Sequence, residues 1–285
     1  MASDPHRPAH KDIDVYGLTH RGLVRKSNED HFFTGMLSSG VEVDYTSITS
    51  NADQVLDLER VASLAMVADG VGSTGGGEEA ARIAVQTIRR HVSKGFPDAY
   101  AVEATDPEAF SRLLSDAALA CHETLLERAE ADPEHTRYAT TLTLFLGLWP
   151  HGYLLQVGDS RCYMYRDDKL TQISRDQTMA QDLIDKGVLT QTKAHQTKWA
   201  HVLSSSIGGQ QAVPVVTKIV RKWGTIMLFC SDGLTKHVSD ERIGEHLSNL
   251  KSSRQTCEAL LQDVLDDGGT DNVTIIVGRT VKPED

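Results

Sequence analysis

Apolar residues gather along this chain in short, β-rich runs separated by polar stretches. Residues 64–68, 140–148, 153–157, 162–165, 225–230 and 273–277 are such runs. Their length and composition predict buried strands. Residues 15–19 and the triplet His31-Phe32-Phe33 are shorter versions that flank a polar turn at 25–30. Residues 140–165 read as three consecutive strands with tight turns, an antiparallel meander. Elsewhere the period changes to that of a helix. Ile83, Ile88 and Val92 share one face of a helix starting near Glu78-Glu79, acids suited to its N-terminal dipole. Phe110, Leu113, Leu114, Ala117, Cys121 and Leu125 stripe a second helix over 107–131, with Pro107 in its first turn. Two further helices are predicted over 240–250 and 253–265. Residues 177–186 and 191–200 are polar and predict short surface helices. Residues 35–60 are less regular and read as a hairpin and loop, and the five glycines in 70–77 predict a flexible turn.

Strand blocks separated by a helix pair predict an α+β layered fold with antiparallel sheets, not a βαβ pattern. No Pro- or Ser-rich linker divides the chain, so one domain over 15–280 is expected. Residues 1–14 form a polar tail without the apolar stretch of a signal peptide, and 281–285 a short C-terminal tail. The apolar fraction of 40% suffices for a substantial core. A net charge of −11 argues against nucleic-acid partners, which require a cationic stripe. Cys121, Cys162, Cys230 and Cys257 are widely spaced, which disfavours a disulfide framework. The longest apolar stretch, 142–149, is too short to span a bilayer. A cytoplasmic monomer without a membrane partner is the expectation.

The acidic positions change the picture from fold to chemistry. Asp69-Gly70 and Asp232-Gly233 each end an apolar run, Asp271-Asn272 opens another, and Asn28-Glu29-Asp30 forms a fourth motif. Strand ends hold side chains rigidly, as a catalytic site requires. Several unpaired carboxylates gathered in one place need neutralising, and a divalent cation is the usual answer. The motifs predict a metal-dependent enzyme.

Six motifs follow one another in a recognisable order: Arg25-x-x-Asn28-Glu29-Asp30, Val67-Ala68-Asp69-Gly70-Val71-Gly72, Ala139-Thr140-Thr141-Leu142, Val157-Gly158-Asp159-Ser160-Arg161, Cys230-Ser231-Asp232-Gly233-Leu234 and Gly268-Gly269-Thr270-Asp271-Asn272-Val273-Thr274. Alone, each is weak, because Asp-Gly is a common turn. Together they resemble the bacterial form of the PP2C-type metal-dependent protein phosphatases over almost the whole chain. The resemblance implies a four-layer α-β-β-α sandwich, two antiparallel β-sheets flanked by helix pairs. It implies that Asp69 bridges two Mn²⁺ or Mg²⁺ ions, that Asp232 and Asp271 complete the first ion's protein ligands, and that Glu29 and the Gly70 carbonyl oxygen hold the second. Asp30 would stand behind through water. Two ions sharing a water lower its pKa, and the resulting hydroxide would attack phosphorus in line with the departing Ser or Thr oxygen, without a phosphoenzyme. Arg25 would clamp the phosphate. The implied partners are phosphorylated protein substrates, with a Ser/Thr kinase acting in opposition.

Blander readings stand beside these. The aspartates could initiate turns, and Arg25 could form a plain ion pair with Glu29. Asp159-Ser160-Arg161 reads as a structural hairpin. Val71 stands where some relatives carry a histidine proposed as general acid. A third metal would draw on Asp132 or Glu134, yet Lys236 occupies the later position where another acid is sometimes found, and a lysine repels a cation. Residues 177–200 correspond to a variable flap beside the active site. A small-molecule phosphomonoesterase and a catalytically silent binding module are the alternative functions.

Overall fold

The computed structural model describes residues 8–39, 59–72, 76–132, 138–194 and 197–282. The strands are β1 (Ile13–His20), β2 (Asp30–Ser39), β3 (Glu59–Val71), β4 (Ala139–Thr140), β5 (Leu142–Leu148), β6 (His151–Val157), β7 (Arg161–Arg166), β8 (Lys169–Gln172), β9 (Val215–Val220), β10 (Ile226–Cys230) and β11 (Val273–Thr280). The helices are α1 (Gly76–Val102), α2 (Ala109–Ala131), α3 (Met179–Asp185), α4 (Gln191–Ala194), α5 (Asp232–Thr235), α6 (Asp240–Ser248) and α7 (Ser253–Asp266). One sheet runs β1-β11-β10-β7-β8; the other runs β2-β3-β5-β6-β9, with β4 paired to β3. Every pairing is antiparallel.

Alternation along the strands builds three apolar layers. On β3, Leu64 and Met66 pack with Ile88, Phe110 and Leu114 of the first helix pair, whereas Ala65 and Val67 face the space between the sheets. On β11, Ile275 and Val277 pack with Leu260 and Val264 of α7, whereas Ile276 meets Phe145 and Phe229 in the middle layer. Each such side chain, fully buried, contributes about 1.5–3 kcal/mol. Ser239 and Ser252 cap α6 and α7 by accepting from the backbone N–H of Arg242 and Gln255. All four cysteines are buried and free, as small apolar residues would be.

Four readings of the sequence need correction. The meander is only a hairpin: β5 and β6 pair, but β7 crosses to the other sheet and lies between β10 and β8. The crossing occurs where Gly158 adopts a positive φ of 104° and Ser160 buries its hydroxyl against Thr141. Residues 35–39 and 59–60 do pair antiparallel, as the expected hairpin requires, with a bulge at Leu37/Ser38 obscuring the alternation. β1 begins at Ile13, inside the stretch read as tail, and Asp14 pairs with Arg279 at 3.1 Å. The third correction adds β8 and β9, edge strands that the sequence reading does not predict: β8 is four residues with one apolar side chain, and in β9 Thr217-Lys218 splits Val215-Val216 from Ile219-Val220. Finally, Asp232 does not simply end a strand but opens the short helix α5.

Candidate metal centre

The acids that sequence places at strand ends meet at one end of the sandwich. Asp30, the first residue of β2, lies directly opposite Asp69 near the end of β3. Asp232 follows β10, and Asp271 stands two residues before β11, so the antiparallel pairing of β10 and β11 brings them side by side. Asp159 arrives on the turn from β6 to β7. A cleft of about 320 Å³ is lined by Glu29, Asp69, Asp159, Asp232 and Asp271, with Arg25, Lys236, Gly70, Val71 and His201 around them.

Buried polar groups hold these positions. The Asp69 N–H donates to Thr141 Oγ1 (3.1 Å), and its carbonyl accepts from the Thr141 N–H (2.8 Å) and Thr140 Oγ1 (2.9 Å). Thr141 Oγ1 is in turn 2.8 Å from Ser160 Oγ. The paired threonines therefore position Asp69 rather than react. Asn272 does the same for the other side: its N–H donates to Asp271 Oδ1 (2.9 Å), and its Oδ1 accepts from the Glu29 N–H (2.8 Å). Two glycines permit the backbone crossings. A Cβ on Gly70 would stand 2.4 Å from the Gly77 backbone, and one on Gly233 would stand 1.9 Å from the Asn272 carbonyl oxygen.

The charges are out of balance. Burial, then repulsion from Asp30, Asp232 and Asp159, pushes the Asp69 carboxyl well above the usual range. Burial and the Asp232 charge push Asp159 up to about 7. Asp30 rises to about 6, chiefly through burial; hydroxyls of Ser231 (2.7 Å) and Thr274 (2.8 Å) donate to its Oδ2, while its buried Oδ1 has no partner. Glu29 is raised by burial against the pull of Arg25. Asp271 behaves oppositely: burial pushes it up, but Lys236 and Arg25 hold it below the ordinary value.

Those two cations define how the site differs from expectation. Arg25 Nε reaches Asp271 Oδ1 at 2.7 Å rather than Glu29. Lys236, one helical turn after Asp232, places Nζ 2.6 Å from Oδ2 of both Asp232 and Asp271. As the side chains stand, no three acidic, histidine or cysteine groups among the described residues converge on one point. Five carboxylates against two cations still leave the cleft negative, with one orphaned buried oxygen and all-oxygen donors. That set fits hard divalent cations. Asp132 is elsewhere, accepting from Tyr138 Oη at 2.8 Å, and Glu134 lies outside the described residues.

Two cleft residues escaped the sequence reading. Asp159 was assigned a structural turn, although it ends an apolar run just as Asp69 does. His201, on the flap, carries no sequence signal, because only the folding of that segment over the cleft brings it near. Arg161 in the same motif is structural: its guanidinium binds Asp176 (2.7 Å) and Tyr163 Oη (2.9 Å).

Comparison with known proteins places this arrangement. The family model for protein phosphatase 2C matches residues 47–269. The serine/threonine protein phosphatase PstP of Mycobacterium tuberculosis is 31% identical over 264 residues, 92% of this chain and 44% of the relative, so the chain spans less than half of that protein's length. The solved catalytic domain of PstP in complex with two manganese ions has 29% identity and a TM-score of 0.73, covering 95% of this chain and 99% of that one. A Streptococcus agalactiae serine/threonine phosphatase superposes with a TM-score of 0.79 at 19% identity, over 95% and 100% of the two chains, a likeness of fold alone. The chain belongs to the protein phosphatase 2C family.

Proposed function

We propose that this chain is a metal-dependent phosphoprotein Ser/Thr phosphatase. The observation that carries the reading is the cleft of five carboxylates on rigid strand ends, several with raised pKa values and too few cations to balance them. Asp69, Asp232, Asp271, Glu29 and the Gly70 carbonyl oxygen are the groups that would hold two Mn²⁺ or Mg²⁺ ions, with Asp30 behind Asp69. PstP, the relative with two manganese ions, supports that stoichiometry. When bound, the ions supply Lewis acidity that generates a nucleophilic water near neutral pH.

The chain's own residues then orient and exclude. Thr140, Thr141 and Ser160 fix the Asp69 backbone so that its carboxylate need not reorganise during reaction. Arg25, whose side chain is 55% exposed, spends one nitrogen on Asp271 and presents the rest of its fork at the cleft mouth, where a phosphoryl group would enter. Val71 lines the cleft and has no proton to give, so the leaving oxygen takes its proton from water or another cleft group. A polar trough of about 590 Å³ beneath α3 and α4 shares Asp159, His201, Asp232 and Lys236 with the cleft. Its continuity with the site favours a phosphorylated protein segment over a compact small ester. A Ser/Thr kinase would supply that substrate. Among the described residues no helix is long and apolar enough to cross a membrane.

Hydrolysis of p-nitrophenyl phosphate and of a phosphothreonine peptide, each with Mn²⁺ or with chelator, tests the reading. Metal-dependent turnover of both is expected. Turnover of the small ester alone would defeat the protein-phosphatase assignment, and turnover of neither would leave a silent module.

A further inference from the structure

The opposite end of the sandwich carries the reverse imbalance. Between the sheets, where β1, β2, β10 and β11 have their far ends, lies an apolar cleft of about 270 Å³ walled by Val15, Met36, Phe145, Met227 and Ile276. That volume is just below the range of about 300–1,000 Å³ usual for drug-sized ligands, and suits a slender one. Arg221, just after β9, stands at its rim. The Arg221 Nε is buried and has no acceptor; Nη2 donates to the His151 carbonyl at 3.2 Å. Among the described residues no carboxylate pairs with it. Its guanidinium lies 5.1 Å from the centre of the Phe145 ring and 5.8 Å from that of Trp149, contacts that support a cation while leaving its edge unbonded. Burial lowers its pKa to about 10, so it stays charged at neutral pH. Thr280 Oγ1, lining the same cleft, is also buried without a partner. Seven buried side-chain polar atoms among the described residues lack partners, and four of them, on His151, Arg221, Trp223 and Thr280, lie at this end.

A buried charge without a counter-ion is costly, and proteins keep one where something completes it. We propose that this cleft binds an acyl monocarboxylate, its chain between the sheets and its head on Arg221 and Thr280. The planar fork of a guanidinium matches a carboxylate bidentately. A single charge suits the head, because the neighbouring Arg279 is already occupied by Asp14 and by the Leu250 and Lys251 carbonyls. A hydroxyl beside the fork supplies the remaining donor. The apolar walls select a hydrocarbon tail over a sugar or nucleotide. Nothing in this argument depends on the phosphatase site, which lies at the other end of every strand involved.

The test is calorimetric titration of the full chain with decanoate, with decanol as the neutral control and intrinsic tryptophan fluorescence as a second readout. Saturable one-to-one binding of decanoate is expected, at least tenfold tighter than decanol. Arg221→Met should erase that preference and weaken decanoate at least tenfold. Gly278→Phe should abolish binding by filling the cleft, since a Cβ there meets only Val15, at an ordinary 3.5 Å, and the backbone is unstrained. Should Arg221→Met fail to fold, Gly278→Phe and the decanol comparison decide. No saturable decanoate binding, equal binding of acid and alcohol, or undiminished binding by either variant would overturn the proposal.

Discussion

At one end of the sandwich five carboxylates share a cleft with two cations; at the other, roughly 20 Å along the strands, a guanidinium is buried with no anion among the described residues. Both ends are held by the same rigid sheets, so neither can relax by moving its charges apart. The difference lies in how each is partly relieved. The acidic end recruits Lys236 and Arg25 and raises the proton affinity of Asp69 and Asp159. Among the described residues, the Arg221 guanidinium has two aromatic rings and the His151 carbonyl. Charge left unbalanced on a stiff scaffold marks a place built for something absent from the chain itself.

The comparison is broken most severely by neutralising its centre. Asp69→Asn should reduce Mn²⁺-dependent turnover by about a thousandfold or more, if Asp69 holds both metal and nucleophile as proposed. The same variant should melt higher than the parent in chelator, because a repelled buried charge is gone; a lower melting temperature would contradict the repulsion. Asp271→Asn should weaken Mn²⁺ binding, measured by calorimetry, by at least tenfold. Unchanged affinity would remove Asp271 from the ligand set.

Protonation sharpens the same contrast. Asp30 and Asp159 have folded pKa values near 6 and 7, above the value of about 4 in an unfolded chain. The folded state therefore binds their protons more tightly, and stability in chelator should fall as pH rises from about 4 to about 7, then level off. At about 1.4 kcal/mol per pKa unit, the loss is roughly 3 kcal/mol from Asp30 and roughly 4 kcal/mol from Asp159. Asp271, held low, acts in the opposite sense only below about pH 4, so it does not mask this window. Melting temperatures in chelator across pH 4.5–8 should decline, and Mn²⁺ should flatten the profile. A flat profile in chelator would show that the acids are not strained.

Smaller effects separate the two ends. Lys236→Met removes the built-in cation shared by Asp232 and Asp271, so it should lower the melting temperature in chelator while tightening Mn²⁺ binding several-fold. Weaker Mn²⁺ binding would mean that Lys236 supports the metal site instead of competing with it. Arg221→Met should raise stability by about 1 kcal/mol, since an apolar replacement removes an unpaired buried charge, and should leave phosphatase activity unchanged.

Much of the fold is legible in the sequence because the core strands are buried on at least one face and must be apolar there. β5, β6, β10 and β11 announce themselves by short, mainly apolar runs, and α1, α2, α6 and α7 by periodic apolar positions. The edge strands β8 and β9 do not, because β8 is short and largely polar and Thr217-Lys218 splits the apolar residues of β9. The crossing of β7 to the second sheet is equally silent, since a hairpin and a crossover both begin with the same glycine turn. Likewise the site acids are readable individually, by their places at strand ends and their order along the chain.

Their mutual geometry is not. That Asp30 faces Asp69, that Asp159 joins the cleft and that Arg25 chooses Asp271 depend on register and on sheet-to-sheet packing, which bring together residues as far apart as 25 and 271. The state of Arg221 is decided the same way: an arginine in sequence has no address, and only the closed sandwich buries its Nε without a partner among the described residues. Sequence by itself determined the layers, the family and the identity of the acids, because burial and spacing are local constraints. Tertiary structure alone decided which charges are balanced and which are left over, because desolvation and Coulomb interactions exist only between groups that folding has placed side by side.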